Sequence, residues 1–258
     1  MPDLSNRRQH EKAIADLLVS IYGSIERAAK ANPEAVDWEA YRQQIEQETV
    51  ALLYLLYLDA AGVMNNSDSF RSIPSFRLDS PSLDNQAQGW ARAYASALAR
   101  EIIDTLREKV GQAIAMFRRG VALAAQRVSD ALGSLVGTVT LRGTMQTPQG
   151  ETVFATDWRD LLDALAAAFA VVFGAARAAV VAVTETTRTI TAAEEWVRRE
   201  FQAATGVLMK RRWRTENDAK VCPICNPLHQ KLEADWPATL KAGPPAHPNC
   251  RCWLTYEV

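Results

Sequence analysis

The sequence predicts a mainly α-helical protein: a helical N-terminal region followed by a small, zinc-stabilised α+β module. Apolar residues recur at helical spacing over the first two-thirds of the chain, whereas strand-like alternation appears mainly near the C-terminus. All four cysteines also fall in the last 37 residues. We therefore predict a helical region over residues 1–156 and a C-terminal domain over residues 157–258.

Proline and capping residues divide the helical region. A helix predicted over 8–31 ends at Asn32-Pro33, and Asp37 is placed to cap a second helix. Ser80-Pro81 then opens a third helical pattern, with Ser80 as the capping residue. This pattern extends over about 82–132, and Gly111 and Gly120 are placed to break or kink it, so it predicts either one long helix or two.

In the middle of the chain the residue pattern changes from helical to strand-like or irregular, and then back to helical. Residues 133–156 predict a short hairpin or a loop, and Asp157 is placed to cap an alanine-rich helix that ends near Val183. A further helix is predicted to open at the capping box Thr191–Glu194. The uncharged stretch 164–176 is shorter than the roughly 20 residues that span a bilayer, so we expect a buried helix and no stable membrane insertion.

Two strands are predicted in the C-terminal domain, over about 207–213 and 252–258. The first contains the densest basic cluster of the chain, and the net charge of the whole chain is only −1, so any nucleic-acid contact must be local. Phosphate contact is one interpretation of this cluster, and a solvated strand edge is the other. Alternate strand residues face opposite ways, so these charges cannot all face one partner. The candidate contacts are Lys210, Arg211, Arg212 and Arg214.

The cysteines form a pattern typical of a metal site. Cys222 and Cys225 make a Cys-x-x-Cys turn, and His247, Cys250 and Cys252 make a His-x-x-Cys-x-Cys cluster. Zinc takes four such donors in a tetrahedron. We favour Cys222, Cys225, Cys250 and either His247 or Cys252. The alternative is four reduced cysteines in a small core; the polar start of the chain predicts no secretion signal, which argues against disulfides.

We expect this metal site to be structural, because a cysteine-rich tetrahedral site normally has no open position for chemistry. We therefore predict neither enzymatic activity nor a small-molecule substrate. Two other functions remain open from the residues alone. One is a zinc-ribbon-like DNA-binding protein, and the other is a metal-dependent nuclease built on Asp218, His247 and Asn249.

The motifs of the last third resemble those of the phage Mu protein F-like, or phage head morphogenesis, family. The resemblance rests on the order Trp213, Asp218, Cys-x-x-Cys, and then the string Pro-Pro-x-His-Pro-Asn-Cys-Arg-Cys over 244–252. It covers about residues 175–258, including Thr184-Glu185, where the family has an Arg-Thr-Glu helix start. Here Val183 replaces that arginine, and Leu228-His229-Gln230 replaces a Leu-Asp-Gly turn.

The resemblance implies a minor protein of a tailed-phage or prophage head, present in few copies. Members of the family associate with the portal during assembly and act in head morphogenesis. The implied partners are the portal or capsid protein and the packaged DNA, through packaging or ejection. The implied location is the virion, inside the head or near the portal, and the host cytoplasm during assembly. Under this hypothesis the helical region 1–156 docks on the portal or capsid.

Overall fold

The computed structural model describes residues 6–66, 76, 78–133, 143–146, 152–155, 158–216 and 218–257. The chain is mainly helical, with a small two-stranded sheet near the C-terminus, as predicted. It forms two compact units. The first is drawn from 1–18, 43–99 and 178–258, and the second from 19–42 and 100–177. The domain boundary between residues 156 and 157 stays a prediction.

The first three helices lie where the sequence predicts them: α1 (Arg7–Ala31), α2 (Trp38–Asn65) and α3 (Ser80–Gly133). Asp37 caps α2, since its carboxylate accepts the Ala40 backbone N–H at 3.0 Å. The cap of α3 is Asp79 rather than Ser80, because the Asp79 carboxylate accepts the Ser82 N–H. The long pattern is a single helix, since an interior glycine costs only about 1 kcal/mol.

Strands β1 (Gly143–Gln146) and β2 (Thr152–Ala155) pair antiparallel, so the predicted hairpin is confirmed. Helix α4 (Trp158–Phe173) follows; its predicted cap, Asp157, lies outside the described residues. At Gly174 an added Cβ would lie 2.3 Å from the Ala170 carbonyl oxygen, so only glycine fits where α4 ends.

Helix α5 (Ala175–Thr205) corrects two predictions, since it has neither a break at Thr184-Glu185 nor a new start at Thr191. Threonine disfavours helices partly because its hydroxyl competes for backbone groups. Here the Thr184 hydroxyl donates to the Val180 carbonyl at 2.7 Å, and Thr189 donates to Glu185 at 2.7 Å. Both hydroxyls bond inside the helix, so the threonine-rich segment stays helical.

The core of the first unit includes an alanine stripe on α3. Ala87, Ala91, Ala95 and Ala99 recur every fourth residue and are all fully buried. This spacing places them on one face, where small side chains let neighbouring backbones approach closely. Larger residues complete this core, including Leu53, Leu56, Tyr57, Val197, Phe201, Trp213 and Leu254.

The second unit has an aromatic and aliphatic core of its own. Tyr22 of α1 meets Phe173 of α4 edge to face, with ring centroids 6.4 Å apart. Phe169 packs on Phe173 in the same way at 5.8 Å. Ile102, Leu106 and Val110 of α3 are also buried in this unit, at helical spacing.

Part of the helical chain passes a length-and-composition test for a membrane span. This part is Leu165–Thr205, and a third of its most apolar 18-residue window is buried. The core helix of a protein in water passes the same test, so one such segment is weak evidence. Within the predicted stretch 164–176, Phe169, Val172 and Phe173 are buried and Val171 is exposed.

Strands β3 (Lys210–Arg214) and β4 (Trp253–Glu257) form an antiparallel pair in the C-terminal part of the first unit. Trp213 opposes Leu254, and Arg211 opposes Tyr256. All four of these side chains are buried, while their neighbours along each strand are more exposed, as the pleat requires. The two predicted strands are thus confirmed, each slightly shorter than expected.

Candidate metal centre

The β3–β4 pair brings the two cysteine clusters together. The Cys-x-x-Cys turn follows β3, and the segment from His247 to Cys252 leads directly into β4. In an antiparallel pair, the end of one strand lies beside the start of the other. Clusters 25 positions apart in sequence therefore meet at one end of the sheet.

All five predicted ligands lie in two overlapping groups that can hold a metal ion. Cys222, Cys225 and His247 form one group, and Cys225, Cys250 and Cys252 form the other. Within each group the ligand atoms lie within 4.8 Å of one another. Cys225 belongs to both, so a four-coordinate site takes Cys225 and draws its other donors from both sides.

The donor distances can be compared with those of a zinc site. Two thiolates on one tetrahedral zinc lie about 3.8 Å apart, and a thiolate and an imidazole nitrogen about 3.6 Å. The Cys225 and Cys250 sulfurs are 3.9 Å apart, which fits. The His247 Nε2 atom lies closer, 2.8 Å from the Cys222 sulfur and 3.2 Å from that of Cys225. Zinc binding would move this ring outward by several tenths of an ångström.

Backbone contacts orient these donors. The His247 Nδ1 atom lies 2.7 Å from the Pro248 carbonyl oxygen, which only accepts, so Nδ1 carries the proton. The lone pair of His247 is therefore on Nε2, the atom that faces the sulfurs. The Cys225 backbone N–H donates to the Cys222 sulfur at 3.3 Å and so helps to fix its position.

Hydrogen bonds among the three buried thiols shift their pKa values in different directions. Hydrogen bonds from Cys225 and Cys252 lower the pKa of Cys250, and the same contact with Cys250 raises the pKa of Cys225. Cys250 is thus the thiol that ionises first in this group. A thiolate is the form that binds a metal, and a divalent ion would deprotonate its neighbours as well.

One side of the cluster is closed and the other meets solvent. Cys225, Cys250 and Cys252 are buried, whereas Cys222 and His247 are half-buried. The recess above the half-buried side, lined in part by Thr215, has a volume of about 20 Å³. That is enough for one water molecule and too small for a substrate group.

Threonines of α5 hold the second cluster in place. The Thr187 hydroxyl donates to the Cys250 carbonyl at 2.6 Å and accepts a hydrogen bond from Arg7 at 2.9 Å. Thr184 accepts the Asn249 backbone N–H at 2.8 Å. Asn249 has φ +61°, a conformation that asparagine adopts more readily than most residues. Both threonines are buried.

Asp218, the carboxylate of the nuclease hypothesis, is engaged in an ion pair with Arg251. The Asp218 carboxylate accepts two hydrogen bonds from Arg251, at 2.8 and 3.0 Å, and this contact lowers the pKa of Asp218. A general base works best with a pKa nearer neutrality. His229 lies in neither metal group, and its Nδ1 atom accepts the Thr215 backbone N–H at 3.2 Å.

The basic cluster of β3 is largely engaged within the protein. Arg211 is buried, forms an ion pair with Glu233, and lies 3.2 Å from Glu195. Arg212 forms an ion pair with Glu257, whose pKa it lowers. Only Lys210 and Arg214, on the more exposed side of the strand, are left without an ion pair among the described residues, so the four charges do not form one patch.

A buried carboxyl group lies beneath the sheet. Glu194 of α5 is almost fully buried, and the Tyr256 hydroxyl lies 3.5 Å from its Oε2 atom. Burial and the neighbouring Glu195 charge raise the pKa of Glu194 to about 8. The expected role of Glu185 at a helix start is also wrong: it lies inside α5, where it accepts the Tyr94 hydroxyl and pairs with Arg188 at 3.4 Å.

The roles of Thr187 and Glu194 were missed by sequence reasoning. The available signal was the run of threonines at 184, 186, 187, 189 and 191 in an otherwise alanine-rich helix. Five β-branched hydroxyl residues at so short a spacing are unfavourable in a solvent-exposed helix. All five are buried, and Thr184 and Thr187 contact the loop of the second cysteine cluster.

Fold and site together define a class: a mainly helical protein with a C-terminal α+β module whose cysteine and histidine donors can hold a metal ion. Residues 144–255 match the family model described as Phage Mu protein F like protein. This part of the chain is therefore assigned to the phage Mu protein F-like family, and the assignment suggests a phage head morphogenesis protein. No curated protein and no solved structure matches the chain.

Proposed function

We propose that the chain is a minor head protein of a tailed phage or prophage that associates with the portal, and that its C-terminal module binds one structural zinc ion. The observation that carries the head role is the family match over 144–255, which contains the whole cysteine and histidine cluster. The role is one of assembly, without catalysis. The protein resides in the virion, near the portal.

A structural zinc accounts for how the C-terminal module is built. The described segment 215–252 between β3 and β4 contains only short 3-10 turns and one isolated bridge to β3. Four sulfurs and one imidazole nitrogen converge within it, which is the donor set that zinc prefers. Zinc would link the Cys-x-x-Cys turn to the segment entering β4. The recess of about 20 Å³ beside it supports a closed site.

In this proposal, contact with DNA is less important than contact with the portal or capsid protein. Arg211 and Arg212 are engaged with carboxylates, so Lys210 and Arg214 are the two residues of this cluster that remain for contacts with phosphates. A protein that holds DNA by electrostatics normally neutralises several phosphates at once. We therefore assign the helices, rather than β3, to the main assembly contacts, with the portal or capsid protein as partner.

The head role is tested by quantitative mass spectrometry of purified, DNA-filled particles, with the free-protein fraction as comparison. We expect the chain in particles at a few copies per portal, and crosslinks from residues 6–133 to the portal. Absence from particles at every assembly stage would refute the proposal. Salt-dependent DNA binding by the free chain would then favour the zinc-ribbon alternative.

The zinc site is tested by metal analysis of the full-length chain. We expect about one zinc per chain, lost in Cys222→Ser together with protection of the C-terminal module from protease. Ile224→Ser is the matched control, because Ile224 lies between the two cysteines and its side chain is exposed. A metal-free wild-type chain with a protease-resistant C-terminal module would refute structural zinc.

A further inference from the structure

The first unit contains a second candidate site, a cavity of about 310 Å³ apart from the cysteine cluster. Its walls come from α2, α3, α5 and the Ala242–Pro245 segment. That volume lies at the lower end of the range for small-ligand pockets and suits one side chain or one chain terminus of a partner. The side chains that line the cavity include Tyr57, Trp90, Arg188, Thr191, Glu195 and Arg199.

The cavity is positively charged on its α5 side. Arg199 is exposed and donates through Nε to the Glu195 carbonyl at 3.2 Å, and no carboxylate pairs with it in the part of the chain that the structure describes. The Arg188 guanidinium lies 5.8 Å from the centre of the Tyr94 ring. The Glu185 carboxylate pairs with Arg188 and also accepts a hydrogen bond from the Tyr94 hydroxyl. Arg199 is therefore the guanidinium without a paired carboxylate among the described residues, and Arg188, paired with Glu185, adds a second cationic group to the lining.

The one carboxylate that lines the cavity is already neutralised. Glu195 accepts from Arg198 at 2.9 Å through Oε2 and lies 3.2 Å from Arg211 through Oε1. Its charge is therefore balanced by side chains outside the cavity. The balance at the opening remains positive, which favours an anionic ligand.

A buried polar group in the wall also lacks a partner. Thr191 is 6% exposed, and its hydroxyl has no hydrogen-bond partner among the described residues. Its methyl group lies 3.3 Å from where a Cβ on Gly243 would be. Leaving such a buried hydroxyl unpaired is unfavourable, and an oxygen of a bound ligand would supply the acceptor.

The apolar walls favour a peptide over a nucleic acid. Trp90 already stacks on Tyr94, at 4.9 Å and 15°, and packs on Tyr57 at 5.2 Å, so its rings are engaged within the protein. Strand binding by nucleic acid uses free aromatic faces and several phosphate contacts. Here two arginines surround one small cavity, and Pro244 and Pro245 add an apolar wall.

From this geometry we propose that the cavity binds a carboxylate of an assembly partner's peptide segment, with Arg199 and Arg188 as its charge partners. The carboxylate belongs to an acidic side chain or a chain terminus, and an apolar neighbour packs against Pro244 and Pro245. The partner's place in the phage head rests on the proposed function, whereas carboxylate binding by the cavity does not.

The test uses nuclear magnetic resonance of the full-length chain, observing the Trp90 indole N–H and the arginine Nε–H signals. The probes are N-acetylglutamate N-methylamide for a side-chain carboxylate and N-acetylalanine for a terminus. We expect saturable shifts at millimolar concentration from at least one probe, at least tenfold weaker in Arg199→Gln. The probe with the tighter binding identifies the source of the carboxylate.

The matched control is Arg92→Gln, an exposed arginine on α3 that does not line the cavity; it should bind like the wild type. No saturable shift from either probe, or equal binding by Arg199→Gln and wild type, would overturn the proposal. Tighter binding of an oligonucleotide at these same signals would also overturn it in favour of nucleic acid. Carboxylate binding by a chain that is absent from particles would refute the head role alone.

Discussion

Replacing Glu194 with glutamine should change how the stability of the protein depends on pH. Glu194 is 3% exposed, near Tyr256 and beside the charge of Glu195. Burial, followed by repulsion from Glu195, raises the pKa of Glu194 from 4.5 to about 8. The folded protein therefore keeps this carboxyl protonated at neutral pH, whereas the unfolded chain releases the proton near pH 4.5.

The sign and size of the effect follow from linkage. Between about pH 4.5 and pH 8 the folded state binds one proton more than the unfolded state, so the free energy of unfolding falls as pH rises. The slope is about 1.4 kcal/mol per pH unit, which gives at most about 5 kcal/mol across the window. The stabilisation is complete below pH 4.5 and lost by pH 8. Glutamine cannot ionise, so Glu194→Gln should lack this contribution.

The assay is urea denaturation followed by far-ultraviolet circular dichroism, from pH 5 to pH 8.5, with zinc held constant. The difference in unfolding free energy between Glu194→Gln and wild type should grow with pH in favour of the variant. The cysteine ligands titrate in both proteins, so their contribution cancels in this difference. Glu200→Gln, an exposed position on the same helix, is the control and should follow the wild type. Parallel pH profiles for Glu194→Gln and wild type would refute the reasoning.

Three further predictions concern packing around the metal centre, each measured by urea denaturation. Thr187→Val should cost about 1–3 kcal/mol and speed zinc loss to a chelator, because the Cys250 carbonyl loses its donor; unchanged chelation kinetics would contradict this. Gly243→Ala should cost about 1–2 kcal/mol, since φ is +87° and a Cβ would lie 3.3 Å from Leu254; a more stable variant would be the contrary result. Trp213→Ala should cost about 3–5 kcal/mol because this side chain is fully buried, and a loss below 1 kcal/mol would contradict its core role.

The sequence was most informative where the signal is local. Helical spacing, Asp37 and the alternation before Trp213 predicted elements that the structure confirms, because each depends on neighbours a few residues away. The cysteine spacing also predicted which side chains converge, since two short motifs flanking a strand pair must meet at one end.

Long-range contacts account for what could not be predicted. The helix was expected to end near Val183, with a new helix opening at the capping box Thr191–Glu194. Instead the threonines are buried, and Thr184 bonds both to a carbonyl within the helix and to the ligand loop. Nothing near Glu194 in sequence signals that Tyr256, 62 positions away, lies beside it. The Arg211 ion pairs likewise required knowledge of where Glu233 lies.

The shared position of Cys225 between the two ligand groups has a consequence for how this family can vary. A metal-mediated link from Cys225 to Cys250, 25 positions apart, would close a ring of chain and remove about 3.5 kcal/mol of unfolded-state entropy by the loop-closure relation. Doubling the length of such a ring adds only about 0.6 kcal/mol to the closure cost. The segment 226–249 is therefore a place where insertions are thermodynamically cheap, so relatives can diverge there in length while the two ends stay fixed.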